Sequence, residues 1–366
     1  MSRIISVQTT LKNVYLKGDF RISHTVMRKE QPRVFIRVED DRGNYGLGEA
    51  APLSFFNGEV AQTIKMMIDT VLAPAVINMD TLQVRKAIIA MNRAIPGNNT
   101  AKTGLEMALW DLAGKVLHLP IYQLLGGKYR DKVRMAYVLG LKELPAMVEE
   151  AKSAVRQGFK TLKVKLTAEV EKDHEMIKTI RENVGNDVLI RADANSAYSV
   201  KDALLAVRVL EPYRLQYLEQ PCSPDNLEGL LEISKNSTIP IAADESLLSV
   251  KDALRLIRGR FVDHLVIKLI KVGGILAGLQ IADMAYTAGL GCTLVSPIET
   301  SIGAAAGVTL AAVAPAAGVD HELNGPDYLE EDFASGLIHQ GNLYYPSDKP
   351  GLGVNIKEGL FGKGAE

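Results

Sequence analysis

The chain is poor in cysteine. It has two, Cys222 and Cys292, in 366 residues. Two thiols cannot build a disulfide framework, and the sequence predicts a protein of the reducing cytoplasm. It also lacks an excess of either charge. Lys and Arg number 42 and Asp and Glu 43, giving a net charge of −1. A balance so even offers no general attraction to nucleic acid or to an anionic membrane, so neither is expected as a partner. Long apolar runs are missing too. The N-terminal MSRIISVQTTLKNVYLKGDF alternates apolar and polar residues and has no continuous apolar segment of the kind that directs export. The stretch over 300–319 is the most apolar, but it is dominated by Ala and Gly and interrupted by Pro315. It reads as a buried helix, since a span needs about 20 strongly apolar residues.

What is present is a folded composition, 47% hydrophobic and 23% charged. The length suits one barrel of roughly 250 residues plus an additional unit. Residues 1–130 read as that unit. Strands are expected over 4–15 and, as a hairpin turning at 40–44, over 33–49. Helical patterns follow over 59–71, 81–94 and 100–116, with a short helix ending at Gly126-Gly127. This is an α+β pattern. From 131 the rhythm changes. Apolar runs at 133–139, 161–166, 188–195, 215–221, 239–246, 264–270, 291–297 and 318–323 alternate with amphipathic helical stretches. Alternation of this kind implies parallel pairing, and eight such units close a barrel.

The chemistry is written at the strand ends. Strands two to six each carry a charge near their C-terminal end: Lys165, Asp193, Glu219, Asp244 and Lys268. They are 28, 26, 25 and 24 residues apart, about one strand-helix unit each. A charge in an apolar strand is costly to bury, and barrel active sites lie at the C-terminal face. Lys163 shares the face of Lys165, and Asn195 that of Asp193, because residues two apart in a strand point the same way. Three carboxylates offer hard oxygen ligands suited to Mg²⁺, with Mn²⁺ as a substitute. Without His or Cys in the set, zinc is disfavoured. A cation beside a substrate carboxylate offsets the charge that builds when the neighbouring C–H loses its proton. Lysines can carry that proton, and Lys163 is expected to lower the pKa of Lys165.

These residues resemble the enolase superfamily in its muconate-lactonizing subgroup, over nearly the whole chain. The motifs are YGLGEAAP (45–52), AKTGLEMALWDLAGKVLHLPIYQLLGG (101–127), LKVKL, RADAN, LEQP, ADES, IKLIKVGG (267–274) and PGLGV (350–354). The resemblance implies a modified (β/α)₇β TIM-type barrel over 131–339. Its α+β capping domain would be built from 1–130 and completed by the tail from about 340 to 366. It implies Asp193, Glu219 and Asp244 as Mg²⁺ ligands, Lys165 and Lys268 as the acid/base pair, Lys163 as an auxiliary lysine, and Asn195 and Glu245 as supporting residues. Lys268 stands where the mandelate-racemase subgroup has His. Family members are usually homo-oligomers, so one is expected here.

The implied substrate is a small carboxylate. Its contacts are expected from a cap loop at 20–24, with His24, and a second at 53–58, with Phe55 and Phe56. Others are expected at the ends of strands seven and eight, from Ser296, Ile298, Glu322 and Asn324. Dipeptide epimerases of the subgroup carry Asp-x-Asp after strand eight to hold the substrate ammonium. Here the stretch is Glu322-Leu323-Asn324-Gly325-Pro326, nearer the ELxGP of muconate cycloisomerases. Glu322 can still accept an ammonium, neutral Asn324 less strongly. His264 is expected in the core and His321, of opposite parity to Glu322, facing the surrounding helices, and Cys222 has no base partner to make it a nucleophile. The expected activity is isomerisation through α-proton abstraction: racemisation, epimerisation or cycloisomerisation. Elimination by a dehydratase or an o-succinylbenzoate-synthase-like enzyme uses the same scaffold. A Schiff-base lysine aldolase or a non-catalytic binding protein are the alternatives of other classes.

Overall fold

The computed structural model describes residues 2–18, 20–22 and 25–361, with the backbone alone for 20–22, 25–27, 55 and 57. The N-terminal sheet is antiparallel, in the order Ile4–Tyr15, Glu30–Asp40, Tyr45–Ala50. Asp40 sets the hairpin turn by accepting the backbone N–H groups of Arg42 at 3.0 Å and Asn44 at 2.8 Å. This is the local bonding that favours Asp at turns.

The 19-residue helix Asn99–Leu117 lies on this sheet and is buried along most of its length. The glycines of YGLG make that approach possible. A Cβ at Gly46 would stand 2.0 Å from the Ala108 carbonyl oxygen, and one at Gly48 1.9 Å from that of Gly104. The same helix reaches the barrel and the tail. Thr103 Oγ1 donates to the Leu269 carbonyl at 2.8 Å, and Asp111 Oδ1 accepts the Leu352 N–H at 2.7 Å.

The barrel sheet has seven parallel strands, each beside its predecessor: Tyr137–Leu139, Thr161–Lys165, Leu189–Asp193, Tyr217–Glu219, Ile241–Ala243, His264–Ile267 and Gly291–Leu294. Two expectations are corrected here. The run 133–139 is not one strand. Val133–Arg134 pairs antiparallel with Leu343–Tyr345 of the tail, and only Tyr137–Leu139 joins the barrel. The eighth segment, 318–323, forms no ladder. It spans the gap between the last and first strands with isolated parallel bridges, Val295 to Glu322 and Met135 to His321. The turn at Gly325–Tyr328, with Pro326 in it, ends the segment before a ladder can grow. The result is a (β/α)₇β-type barrel under an α+β cap.

Helix Ser301–Val313 is buried throughout, as expected of the Ala/Gly-rich stretch. No helix of the described residues is long and apolar enough to cross a membrane.

Candidate active site

The parallel register sets Lys165 beside Asp193, and Asp193 beside Glu219. Asp244 and Lys268 each follow immediately on their strands. All five side chains are buried. Lys165 Nζ donates to Asp193 Oδ2 at 2.6 Å. Lys163 Nζ is held by three carboxylates: Glu219 Oε1 at 2.8 Å, Glu322 Oε2 at 2.9 Å and Asp193 Oδ2 at 3.2 Å. On the other side Lys268 and Lys271 grip the two oxygens of Asp244. Lys271 also donates to the Asp244 carbonyl.

These pairings set the electrostatics. Burial alone would raise Asp193, but Lys165 and Lys163 hold it well below the usual carboxylate range. Lys268 and Lys271 do the same for Asp244. Glu219 is pushed the other way, by burial and then by Asp193 and Asp244, which outweigh Lys163. Lys163 itself is raised far above an ordinary lysine. Burial opposes its charge, but Glu219, Glu322 and Asp193 prevail. Asp193 Oδ2 bridges the ammonium groups of Lys163 and Lys165.

Asn195 lies between Lys165 and Glu245. Its Oδ1 accepts from Lys165 at 3.3 Å, and its Nδ2 donates to Glu245 Oε1 at 3.3 Å. Glu245 is pushed up to about 7 by burial and by Asp244.

A pocket opens over the lysines. Lys163, Lys165, Lys268 and Asn195 face it, and Leu53, Phe56, Val138, Val295, Pro297 and Ile298 make its wall apolar. Of the predicted substrate contacts, Phe56, Ser296, Ile298, Glu322 and Asn324 line it. Lys268 Nζ stands 4.3 Å from the centroid of the Phe56 ring. His24 and the side chain of Phe55 lie outside the described residues. Glu322 Oε2 is tied to Lys163, while its Oε1 has no hydrogen-bond partner and lies 3.5 Å from Arg191 Nη1.

Sequence reasoning missed Arg191, although it shares the face of Asp193 in RADAN. It missed Tyr328, which lines the pocket beside Asn324, and it gave Lys271 no role. The core histidines are as expected. His264 bonds Thr293 Oγ1 at 2.7 Å and stacks on Tyr217. His321 accepts the Leu294 N–H at 3.0 Å. Burial pushes the Cys222 thiol up to about 11, which leaves it inert.

Asp193, Glu219 and Asp244 carry oxygens of the kind a hard cation takes. The buried Oε2 of Glu219 has no hydrogen-bond partner, so an oxygen is left for one. Among the described residues, no three carboxylate, imidazole or thiolate groups stand gathered as a ready ion cage. Lysine ammonium groups take Asp193 Oδ2 and both oxygens of Asp244 instead.

The sequence matches the family described as "Mandelate racemase / muconate lactonizing enzyme, N-terminal domain" over residues 4–126, and "Enolase C-terminal domain-like" over 146–360. An N-succinyl-L-Arg/Lys racemase of Bacillus cereus is 31% identical over 94% of this chain and 92% of its own. The muconate lactonizing enzyme of Pseudomonas fluorescens, solved with muconolactone, superposes with a TM-score of 0.94 at 31% identity, covering 98% of each chain. The dipeptide epimerase of Enterococcus faecalis, solved with Mg and the dipeptide L-Leu-L-Tyr, gives 0.91 at 33%, covering 96% of this chain and 99% of that one. The chain belongs to the enolase superfamily, in its muconate-lactonizing subgroup. It is an isomerase of that superfamily. The racemase, epimerase and lactonizing relatives cover 94%, 96% and 98% of its length, so the cap and barrel are matched together.

Proposed function

We propose that this protein is a divalent-cation-dependent isomerase that removes the proton α to a substrate carboxylate through Lys165 and returns one through Lys268, or the reverse. The supporting observation is that both lysines face one pocket, each anchored on a different carboxylate of the donor set. Asp193, Glu219 and Asp244 would hold Mg²⁺, with Mn²⁺ able to substitute. The ion would supply positive charge to the substrate carboxylate as the α-carbon gives up its proton.

The protein's own groups do the rest. Asn195 orients Lys165. Lys163, fixed by three carboxylates, adds a permanent positive charge at the pocket floor. Phe56 and the apolar wall keep water from the lysines, which strengthens every charge interaction inside. Two lysines on two sides of one carbon suit racemisation or epimerisation. With Glu322 already paired, an N-acyl amino acid or another substrate without a free ammonium at strand eight fits better than one that needs an unpaired carboxylate there. We further take residues 1–130 and the tail from about 340 as the cap, and 131–339 as the catalytic barrel.

The test is α-proton exchange in D₂O, followed by NMR, across N-acyl amino acids, dipeptides, proline derivatives and muconates with Mg²⁺ present. Exchange that disappears with EDTA and returns with Mg²⁺ is expected. Trapping of substrate by borohydride, with EDTA without effect, would replace this reading with a Schiff-base lysine.

A further inference from the structure

Arg33 and Glu49 sit in the cap sheet, fully buried, far in sequence from the lysines. Both reach into the barrel. Arg33 Nη2 donates to the carbonyl oxygens of Ile298 at 2.8 Å and Pro297 at 3.3 Å. Glu49 accepts the backbone N–H of Thr300 at 3.0 Å and that of Gly303 at 3.1 Å, so it caps helix Ser301–Val313 from another part of the chain. Arg33 Nε and Glu49 Oε1 are 3.5 Å apart. The segment they grip, from Val295 to Thr300, supplies Val295, Ser296, Pro297 and Ile298 to the pocket wall.

Within it Ile298 has φ +63°, the left-handed region. A β-branched side chain there is strained and persists only where surrounding contacts impose it. The carbonyl of this same residue is the one Arg33 holds most closely. The relaxed alternative, with φ negative, would turn that carbonyl away and move the side chain relative to the pocket.

We propose that Arg33 and Glu49 are positioning residues for substrate selectivity. They clamp the 295–300 segment and hold Ile298 in its left-handed conformation against the pocket. The link to selectivity rests on the active-site reading above; the clamp itself does not.

Two measurements test it. The first is thermal melting of Ile298→Gly alone and combined with Arg33→Met. In the wild-type background glycine relieves the strain, so Tm is unchanged or higher. With Arg33 removed the segment relaxes, and the same substitution lowers Tm by about 2–4 °C. An equal fall in both backgrounds overturns the clamp. If Arg33→Met does not fold, Glu49→Gln replaces it in the same cycle.

The second measurement is α-proton exchange, with Mg²⁺, on N-acetyl-L-amino acids and L-Ala-L-Xaa dipeptides of graded side-chain size. In Arg33→Met the ratio of kcat/KM between best and worst substrates is expected to fall about tenfold to a hundredfold, chiefly through KM of the best. A uniform loss of kcat across the series overturns the selectivity role. If the wild type exchanges none of the series, nor any proline derivative or muconate, the active-site reading fails, and the melting cycle still decides the clamp.

Discussion

Lys163 and Glu322 lie 159 residues apart in the chain and meet at 2.9 Å inside the barrel. The pair spans the place where the backbone ladder is thinnest. Among the described residues, the backbone of the eighth segment pairs with the end of the seventh strand and with the segment before the first through isolated bridges. Arg191 approaches the same carboxylate from below. An ionic contact therefore helps close the ring, and the same contact occupies one oxygen of the carboxylate at strand eight that the sequence offers to a substrate ammonium.

Replacing Glu322 by Gln should loosen this closure. Lys163 keeps Glu219 and Asp193, so the loss is that of one charged hydrogen bond, about 1.5–3 kcal/mol. Urea unfolding of the variant measures it. A midpoint equal to wild type would mean the pair contributes nothing to closure.

Glu299 gives a pH signature. Burial, and then the charge of Glu49, push its pKa from 4.5 up to about 8, against Ser296 and Arg33. The fold thus prefers the protonated acid. Its stabilising contribution is full below pH 4.5 and is lost as pH rises through about 8. Glu299→Gln removes that loss. Between pH 5 and pH 9 the variant should gain on the wild type by at least about 1.4 kcal/mol, one pKa unit's worth. Parallel stability curves would contradict the shift.

Lys271 holds both the carbonyl and the carboxylate of Asp244. Removing its contacts by Lys271→Met should lower the exchange rate about 10–100-fold even at saturating Mg²⁺, as for other residues that orient a ligand. A wild-type rate would show that Lys268 alone orients Asp244.

Much of this was legible in the sequence because strands impose strict rules. Charges at Lys165, Asp193, Glu219, Asp244 and Lys268 recur once per strand-helix unit, and the two-residue period fixes their face. The hairpin at Asp40 and the helix over 100–116 were legible from turn chemistry and periodicity. The split of 133–139 was not, because the partner of Val133 is in the tail 211 residues on, at Tyr344. The pairing of Glu322 was hidden for the same reason. An unpaired and a paired carboxylate read alike until the ring is closed. Arg33 and Glu49 looked like ordinary polar residues of a cap strand. Only the fold brings them to the 295–300 segment.

The central claim is that two lysines serve one α-carbon. The most direct measurement is α-proton exchange in D₂O on each enantiomer of an active substrate, with Lys165→Ala and Lys268→Ala. Each variant should lose interconversion of the enantiomers by at least about a thousandfold, within the range of a general acid–base group. Each should still exchange the one enantiomer whose proton faces the lysine that remains, and the two variants should retain opposite ones. Full interconversion by either variant, or loss of the same enantiomer's exchange in both, would contradict the account.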